Sequence, residues 1–278
     1  MDKKSLDNYI KSPSPIKKEL KILFSHKKAL VIFDIGSCEG EDSIRYSGLF
    51  PNSKIYSFEA LPKNQKLLKE NFKKCSINNA TLFPIALSDK KGISDFYVSY
   101  GQPQHDASNP HWDYGNKSSS LLEPDETYKK HEWLKFGTSI KVETDTLKNI
   151  CESTNIKEID FIHMDVQGAE LKVLIGAEEI INNIKAIWLE VENVSLYKNQ
   201  PLKNDVEEFF FKNNFIKIKD TVNNISGDQL YINTKYFDGY KIILIKLLHL
   251  AQKQIKTIQK VLSALKRLLT KIKKTIIR

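Results

Sequence analysis

The sequence predicts an α/β fold: a doubly wound, mostly parallel, Rossmann-like sheet, extended at its C-terminus by one long amphipathic helix. Three observations carry this expectation. Short apolar runs alternate with helical segments from Ala29 to Asn233, the pattern of βαβ units. The first run ends in a glycine-containing turn. The last two runs lie close together with turn residues between them, as in an antiparallel edge hairpin.

Residues 1–28 are polar and Lys-rich, with Ser12-Pro13-Ser14-Pro15 leading into a short amphipathic stretch from Ile16 to Phe24, read as an N-terminal helical segment. Ala29–Ile35 (ALVIFDI) is near-continuously apolar, as a strand buried on both faces requires. After the turn and a helix come a strand at Lys54–Phe58, a helix at Pro62–Lys74 and a strand near Thr81–Ala86. Gly101–Ser120 contains no Leu, Ile, Val, Met or Phe, so 101–131 reads as a polar insert or lid. Ile159–Met164 is a strand, Gly168–Asn182 a helix and Ala186–Val191 a strand. Asp205–Asn213 is a helix before the closing strands Phe215–Lys219 and Gln229–Asn233. The catalytic-size domain is placed at 29–237 and a helical tail at 240–278.

Composition narrows the function classes. The net charge of +9 is local: Lys241–Arg278 holds nine Lys and two Arg with no Asp or Glu, leaving 32 basic and 34 acidic residues in 1–240. A nearly neutral main domain has no nucleic-acid footprint, and no nucleic-acid partner is expected. Cys38, Cys75 and Cys151 form no pair at metal or redox spacing, which suits a reducing compartment. The N-terminus has no secretory pattern, and no uncharged apolar stretch reaches the ~18–20 residues that span a bilayer. A cytoplasmic protein is expected, peripheral on a membrane if its tail binds one.

The turn after the first strand reads Asp34-Ile35-Gly36-Ser37-Cys38-Glu39-Gly40. Its GxxxG spacing lacks the third glycine of dinucleotide-binding turns, which disfavours a nicotinamide-dependent oxidoreductase. Asp34 stands where it can reach an ammonium group. Glu59 ends the second strand, where a carboxylate can accept both hydroxyls of a ribose.

The segments VIFDIGSCEG, IYSFEALPKNQKLLKENF, LFPIALSDKKG and IDFIHMDVQGAELKVLIGA, with SSSLLEP at Ser118–Pro124, resemble the FkbM-type methyltransferase family over residues 29–235. The run Asp165-Val166-Gln167-Gly168-Ala169-Glu170 leading into a helix that ends Leu-Ile-Gly-Ala is the most specific part. The resemblance implies a class I methyltransferase fold, S-adenosyl-L-methionine as donor, and O-methylation of hydroxyls on sugars or natural products. The candidate donor contacts are then Asp34, Gly36, Ser37, Gly40, Glu59, Ala60, Ala86 and Asp165, with Asp89 carried over only weakly. Cys38-Glu39 departs from the small residues many members have in the turn.

A sugar hydroxyl is a poor nucleophile at neutral pH and needs a base. Asp165, at a strand's carboxyl end, is the first candidate; capping the next helix is its other reading. Glu190 sits in a buried strand, where a carboxylate must be paired or liganded. His131, beside the polar insert, is the third candidate. His105 and His111 read as loop residues, and His163 as a core histidine. Trp112 and Tyr114 can stack on a sugar or anchor the insert. No ligand cluster has metal-specific spacing, so no metal is predicted.

In the tail, Leu244, Leu248, Ala251, Ile255, Ile258, Leu262, Leu265, Leu269, Ile272 and Ile276 recur at alternating spacings of four and three. Such a seam suits a homo-oligomeric coiled coil, but uniformly positive flanks make parallel copies repel. An anionic membrane surface is the better partner. The expected activity is O-methylation of a sugar hydroxyl of a glycan or glycolipid precursor. O- or N-methylation of a small molecule, and a non-catalytic membrane-recruited scaffold of the same fold, are the alternatives.

Overall fold

A computed structural model describes residues 6–27, 29–102, 114–126 and 133–276. Two short helices, α1 (Leu6–Lys11) and α2 (Lys17–Leu23), lead into the first strand. The core alternates as β1 (Val31–Ile35), α3 (Glu41–Leu49), β2 (Lys54–Phe58), α4 (Pro62–Lys74) and β3 (Ala80–Phe83). Four further strands follow: β4 (Ala86–Leu87), β5 (Gly92–Phe96), β6 (Ser99–Tyr100) and β7 (Lys135–Phe136), with a 3-10 turn at Tyr114–Ser118 between the last two. Then come β8 (Ile140–Asp145), α5 (Leu147–Ser153), β9 (Ile159–Met164), α6 (Glu170–Ile175), a 3-10 helix at Glu178–Asn183 and β10 (Ile184–Glu192). The chain closes with α7 (Lys203–Lys212), β11 (Phe215–Asp220), β12 (Ser226–Asn233) and α8 (Gly239–Ile276).

The main sheet has the order β11-β12-β10-β9-β1-β2-β3. Strands β3, β2, β1, β9 and β10 are parallel, and the β11–β12 hairpin closes the edge antiparallel. The order reverses between β1 and β9, which opens a crevice at their carboxyl ends. Strand alternation feeds two cores. Phe33, Ile35, Ile162 and Met164 pack with Leu147, Leu174 and Phe210 on one face. Ile32, Phe161 and Trp188 pack with Leu20, Tyr46 and Ile245 on the other. The second face also carries the polar ends Asp34, His163 and Asp165, because they continue the same alternation. Local signals set the helix starts: Pro62 opens α4, and the Thr146 hydroxyl caps α5 by accepting from Asn149 N at 3.1 Å.

Three sequence expectations change. The strand expected at Thr81–Ala86 is split at Pro84 into β3 and β4, since proline cannot donate to the ladder. The helix expected across Gly168–Asn182 stops at Gly176 and resumes as 3-10. A three-stranded sheet, β4-β8-β5, lies outside the alternating pattern from which the sequence was read. The first turns of α8 also dock back on the domain: Ile245 is fully buried, Lys241 donates to Leu23 O, and His249 meets Glu19 at 2.7 Å. This contact uses Ile242 and Ile245, a different stripe from the seam beginning at Leu244. No described helix is long and apolar enough to cross a membrane.

Candidate active site

The turn after β1 is fixed by close backbone packing. Gly36 has φ +80° and lies so near the β9 end that a Cβ there would sit 1.9 Å from the Asp165 carbonyl oxygen. Only glycine fits. The N–H groups of Gly36 and Ser37 both donate to Phe58 O, and Asp165 N donates to Ile35 O, so the ends of β1, β2 and β9 are tied together.

Glu59, buried just past β2, accepts from Cys38 N at 2.8 Å and from Leu61 N at 2.7 Å. A carboxylate has about four acceptor positions, so two remain for a ligand. Burial pushes this carboxyl up to about 7, against the pull of the two amide bonds. Glu59 borders a cavity walled by Gly36, Ala60, Ala86, Leu87, Phe96 and Asp165. Its wall thus combines carboxylates with apolar side chains.

A second cavity opens on the α3 face, lined by Tyr9, Asp34, Ser37, Glu41, Asp42, Lys117, His163 and Asp165. The two cavities share Gly36, Cys38, Lys117 and Asp165. Asp34 and His163 are register partners across β1 and β9. Asp34, 2% exposed, accepts from Ser43 Oγ at 2.5 Å and lies 3.5 Å from His163 Nδ1. Burial pushes Asp34 up to about 7. Asp42 stands 3.9 Å from the same Nδ1, a buried atom that makes no hydrogen bond. Burial opposes the imidazolium, but the Asp42 and Asp34 charges outweigh it and raise His163 above its ordinary value. His163 is therefore a cavity-lining titratable group, a role the sequence reading passed over in favour of a core histidine.

Asp165 and Glu190 are bridged by one amide. Gln167 Nε2 donates to Asp165 Oδ1 at 2.6 Å and to Glu190 Oε2 at 2.9 Å. Burial raises both carboxyls; the Gln167 bond pulls Asp165 back down, while Asp165 and Glu192 push Glu190 further up. Glu190 also faces Asp228 across the β10–β12 ladder. It lines neither cavity, so its place is behind Asp165 rather than in the wall. The helix-capping role considered for Asp165 is not seen: α6 has no side-chain cap, and Glu170 Oε1 instead accepts from Val166 N, before the helix, at 2.9 Å.

The 3-10 turn Tyr114–Ser118 covers the junction of the cavities. Asn116 donates to Glu39 Oε1 and Asn64 Oδ1, and Lys117 pairs with Glu41 and lies 3.6 Å from Cys38 Sγ. Tyr197 OH binds Ser118 O, and Ser120 Oγ donates to Gln167 O, joining this segment to the end of β9. Sequence reasoning missed Asn64, Asn116, Lys117 and Gln167. Their only signal was adjacency, Asn116 and Lys117 to the SSSLLEP stretch and Gln167 to Asp165.

Of the candidate donor residues, Gly36, Glu59, Ala60, Ala86 and Asp165 line the first cavity, and Asp34 and Ser37 the second. Gly40 does not: it packs against Phe72 and Leu68 at the start of α3, with φ +82°. Asp89 also stays out, accepting from Ser88 Oγ. His105, His111, Trp112 and His131 lie outside the described residues. Among the described residues no group of three or more His, Cys, Asp or Glu is arranged to hold a metal.

Comparison with known proteins adds family evidence. Residues 34–217 match the family model described as Methyltransferase FkbM domain. The 2-O-methyltransferase NoeI of Sinorhizobium fredii is 32% identical over 206 residues, covering 74% of this chain and 80% of that protein. Among solved structures, an FkbM methyltransferase from Methylobacillus flagellatus is similar at TM-score 0.47 and 13% identity over 82% of this chain; the chain spans 50% of that one. The magnesium protoporphyrin IX methyltransferase of Synechocystis, solved with bound S-adenosylmethionine, is similar at TM-score 0.42 and 9% identity, over 82% of this chain and 85% of its own.

Proposed function

This chain belongs to the FkbM methyltransferase family, and from that premise we propose that it transfers the methyl group of S-adenosylmethionine to a hydroxyl of a sugar in a glycan or glycolipid precursor. The observation that carries the reading is the buried Glu59 carboxylate, held on the cavity wall by two amides with acceptor capacity to spare. That capacity suits the paired hydroxyls of a ribose, and the Ala86, Leu87 and Phe96 end of the cavity suits an adenine. Asp34 and Asp165 provide negative charge for the donor's cationic groups.

S-adenosylmethionine supplies a methyl group on a sulfonium, open to in-line displacement by an oxygen nucleophile. The protein must hold the acceptor, keep water out and take up the hydroxyl proton. Asp165, at the junction of the cavities, is the proton acceptor. Gln167 fixes its carboxylate and favours its ionised form. His163, flanked by Asp34 and Asp42, supplies a positive charge beside Asp165 that favours ionisation there too. The curated relative's name, a 2-O-methyltransferase, supports oxygen as the acceptor atom. The α8 tail, with exposed Leu247, Leu250, Ile255, Ile258, Leu262 and Leu265 and no acidic residue from Lys241 on, suits an anionic membrane and hence a lipid-linked acceptor.

Two measurements test the proposal. Calorimetric titration of the full chain with S-adenosylhomocysteine should show binding that Glu59→Ala weakens at least tenfold. Tritiated methyl transfer should then favour alkyl glycosides over phenols and amines in a panel of acceptors. Tight donor-product binding with transfer only to amines would overturn the hydroxyl reading, and no binding would overturn the donor.

A further inference from the structure

The family match begins at residue 34, yet one wall of the cavity on the α3 face comes from before it. That wall is Tyr9, on the short helix α1. Its hydroxyl donates to Asp42 Oδ2 at 2.7 Å, and Asp42 in turn stands 3.9 Å from His163 Nδ1. Asp34, set above against the donor's cationic groups, lines the same cavity. Tyr9 therefore faces the part of the site where the donor's amino-acid end belongs.

The attachment of α1 is of a kind that opens. The helix spans six residues, too few to be stable alone, and buries none of them. Ile10 packs, partly buried, on the cluster of Ile44, Leu68 and Phe72. Polar contacts add to it: Arg45 lies 4.3 Å from the Tyr9 ring centroid and donates to Ser12 O at 3.0 Å. Asp7 pairs with Lys74 at 3.2 Å, but both side chains are exposed, and exposed pairs hold little. Behind α1 the link Lys11-Ser12-Pro13 is exposed, and Pro13 cannot continue the helix. The chain is fixed again from Ser14 onward, with Ile16 and Leu20 fully buried. Helices α1 and α2 are thus separate bodies joined at an exposed link.

We propose that α1 is the lid of the donor site: it swings from α3 to admit S-adenosylmethionine and closes over the amino-acid end, with the Tyr9–Asp42 hydrogen bond as its latch. This deepens the methyltransferase reading above and rests on it. Closure shuts water out of the cavity where Asp34 and Asp42 meet a cationic ligand, and so strengthens that attraction. The ligand favours closure in return, because its contact with Tyr9 exists only with the lid shut. A ligand without the amino-acid end makes no such contact and leaves the lid as it is in the free protein.

Amide hydrogen exchange of the full chain reads the lid directly. Residues 6–12 should exchange fast in the free protein and slow roughly tenfold or more with saturating S-adenosylhomocysteine. With saturating 5′-methylthioadenosine, which has the same adenosine and thioether but no amino-acid end, they should exchange as in the free protein. No slowing by bound S-adenosylhomocysteine, or equal slowing by the two ligands, overturns the lid and leaves the donor assignment standing. Tyr9→Phe tests the latch, since it keeps the ring and removes the bond. It should raise the Kd and dissociation rate of S-adenosylhomocysteine roughly tenfold, the scale of one hydrogen bond to a charged group. The same constants for 5′-methylthioadenosine should change less than about twofold. Ile10→Asp, which detaches α1 from the Ile44 and Phe72 cluster, is a second variant with the same contrast expected. Equal weakening of both ligands would mean that α1 only braces α3, and unaltered S-adenosylhomocysteine binding would mean that the latch holds nothing. Either result overturns the proposal. Failure of the unsubstituted protein to bind S-adenosylhomocysteine overturns the donor assignment, and the lid with it.

Discussion

At the scale of single residues, the site is a set of carboxyls kept short of water, and their titration gives signs that can be measured. Glu59 and Asp34 are both pushed up to about 7, chiefly by burial. Their ordinary values are near 4, so between those limits the folded state holds protons that the unfolded chain releases. Stability therefore falls as pH rises from about 4 to about 7, by on the order of 3 kcal/mol for each group. Calorimetric melting of the free protein should show a higher Tm at pH 5 than at pH 8, and Glu59→Gln should flatten the slope. Ligand affinity should run the other way. Ribose hydroxyls donate best to an ionised carboxylate, so S-adenosylhomocysteine should bind more tightly as pH rises through 7, and Glu59→Gln should lose part of that dependence while Asp34 keeps the rest. A second prediction concerns Gln167, whose bond lowers the pKa of Asp165. Gln167→Leu removes the bond, so the acid limb of the pH–rate profile should move to higher pH on the acceptor identified by the panel; an unmoved limb would show that Asp165 is not the group titrating in catalysis. Asp34, Glu59 and Asp165 were legible as candidates because each ends a recognisable strand. The partners that decide their ionisation were not: Ser43 reaches Asp34 from α3, and Gln167 and the Cys38 and Leu61 amides come from turns whose shape no periodicity encodes.

At the scale of elements, the strands of the main sheet were legible because burial on both faces leaves runs such as VIFDI and IDFIHM without alternation. The second sheet was not. Its strands β4, β5 and β8 are two to six residues long and mix polar with apolar positions, and β4 and β8 pair across an insert of more than fifty residues. The turn after β1 shows how strictly local geometry supports the site. Gly36→Ala forces a Cβ against the Asp165 carbonyl at φ +80°, a clash with backbone that cannot swing away. It should cost about 3 kcal/mol or more and abolish donor binding. Gly48, exposed in α3 with nothing near its would-be Cβ, makes the control: Gly48→Ala should stabilise by about 0.5–1 kcal/mol. Denaturant melts of the two variants separate strain in the crevice from general helix propensity. Two similar losses would contradict the assignment.

At the scale of the whole molecule, the chain joins a nearly neutral α/β body to a helix of 38 residues, about 57 Å long, that carries its excess positive charge. The sequence showed the seam and the charge but not the docking, because Ile245 belongs to neither the four-three pattern nor the charged flank. Its burial against Leu20, Leu23 and Phe237, with the His249–Glu19 contact, anchors only the first turns of α8. Farther along, among the described side chains, Leu250, Ile255, Ile258, Leu262 and Leu265 are each at least half exposed. A chain ending at Leu250 should therefore keep its donor affinity, and its Tm within a few degrees, because Ile245 and His249 are retained. It should lose co-sedimentation with phosphatidylglycerol vesicles, to which the full chain is expected to bind with a steep dependence on salt. Neutral phosphatidylcholine vesicles distinguish the sources of binding, since each basic side chain near an anionic surface contributes about 1 kcal/mol that a neutral surface withholds. If the full chain instead ignores both vesicles and sediments as an oligomer that the shortened chain cannot form, the seam is a contact between copies. The acceptor then need not be lipid-linked, and the search for it moves to free glycosides.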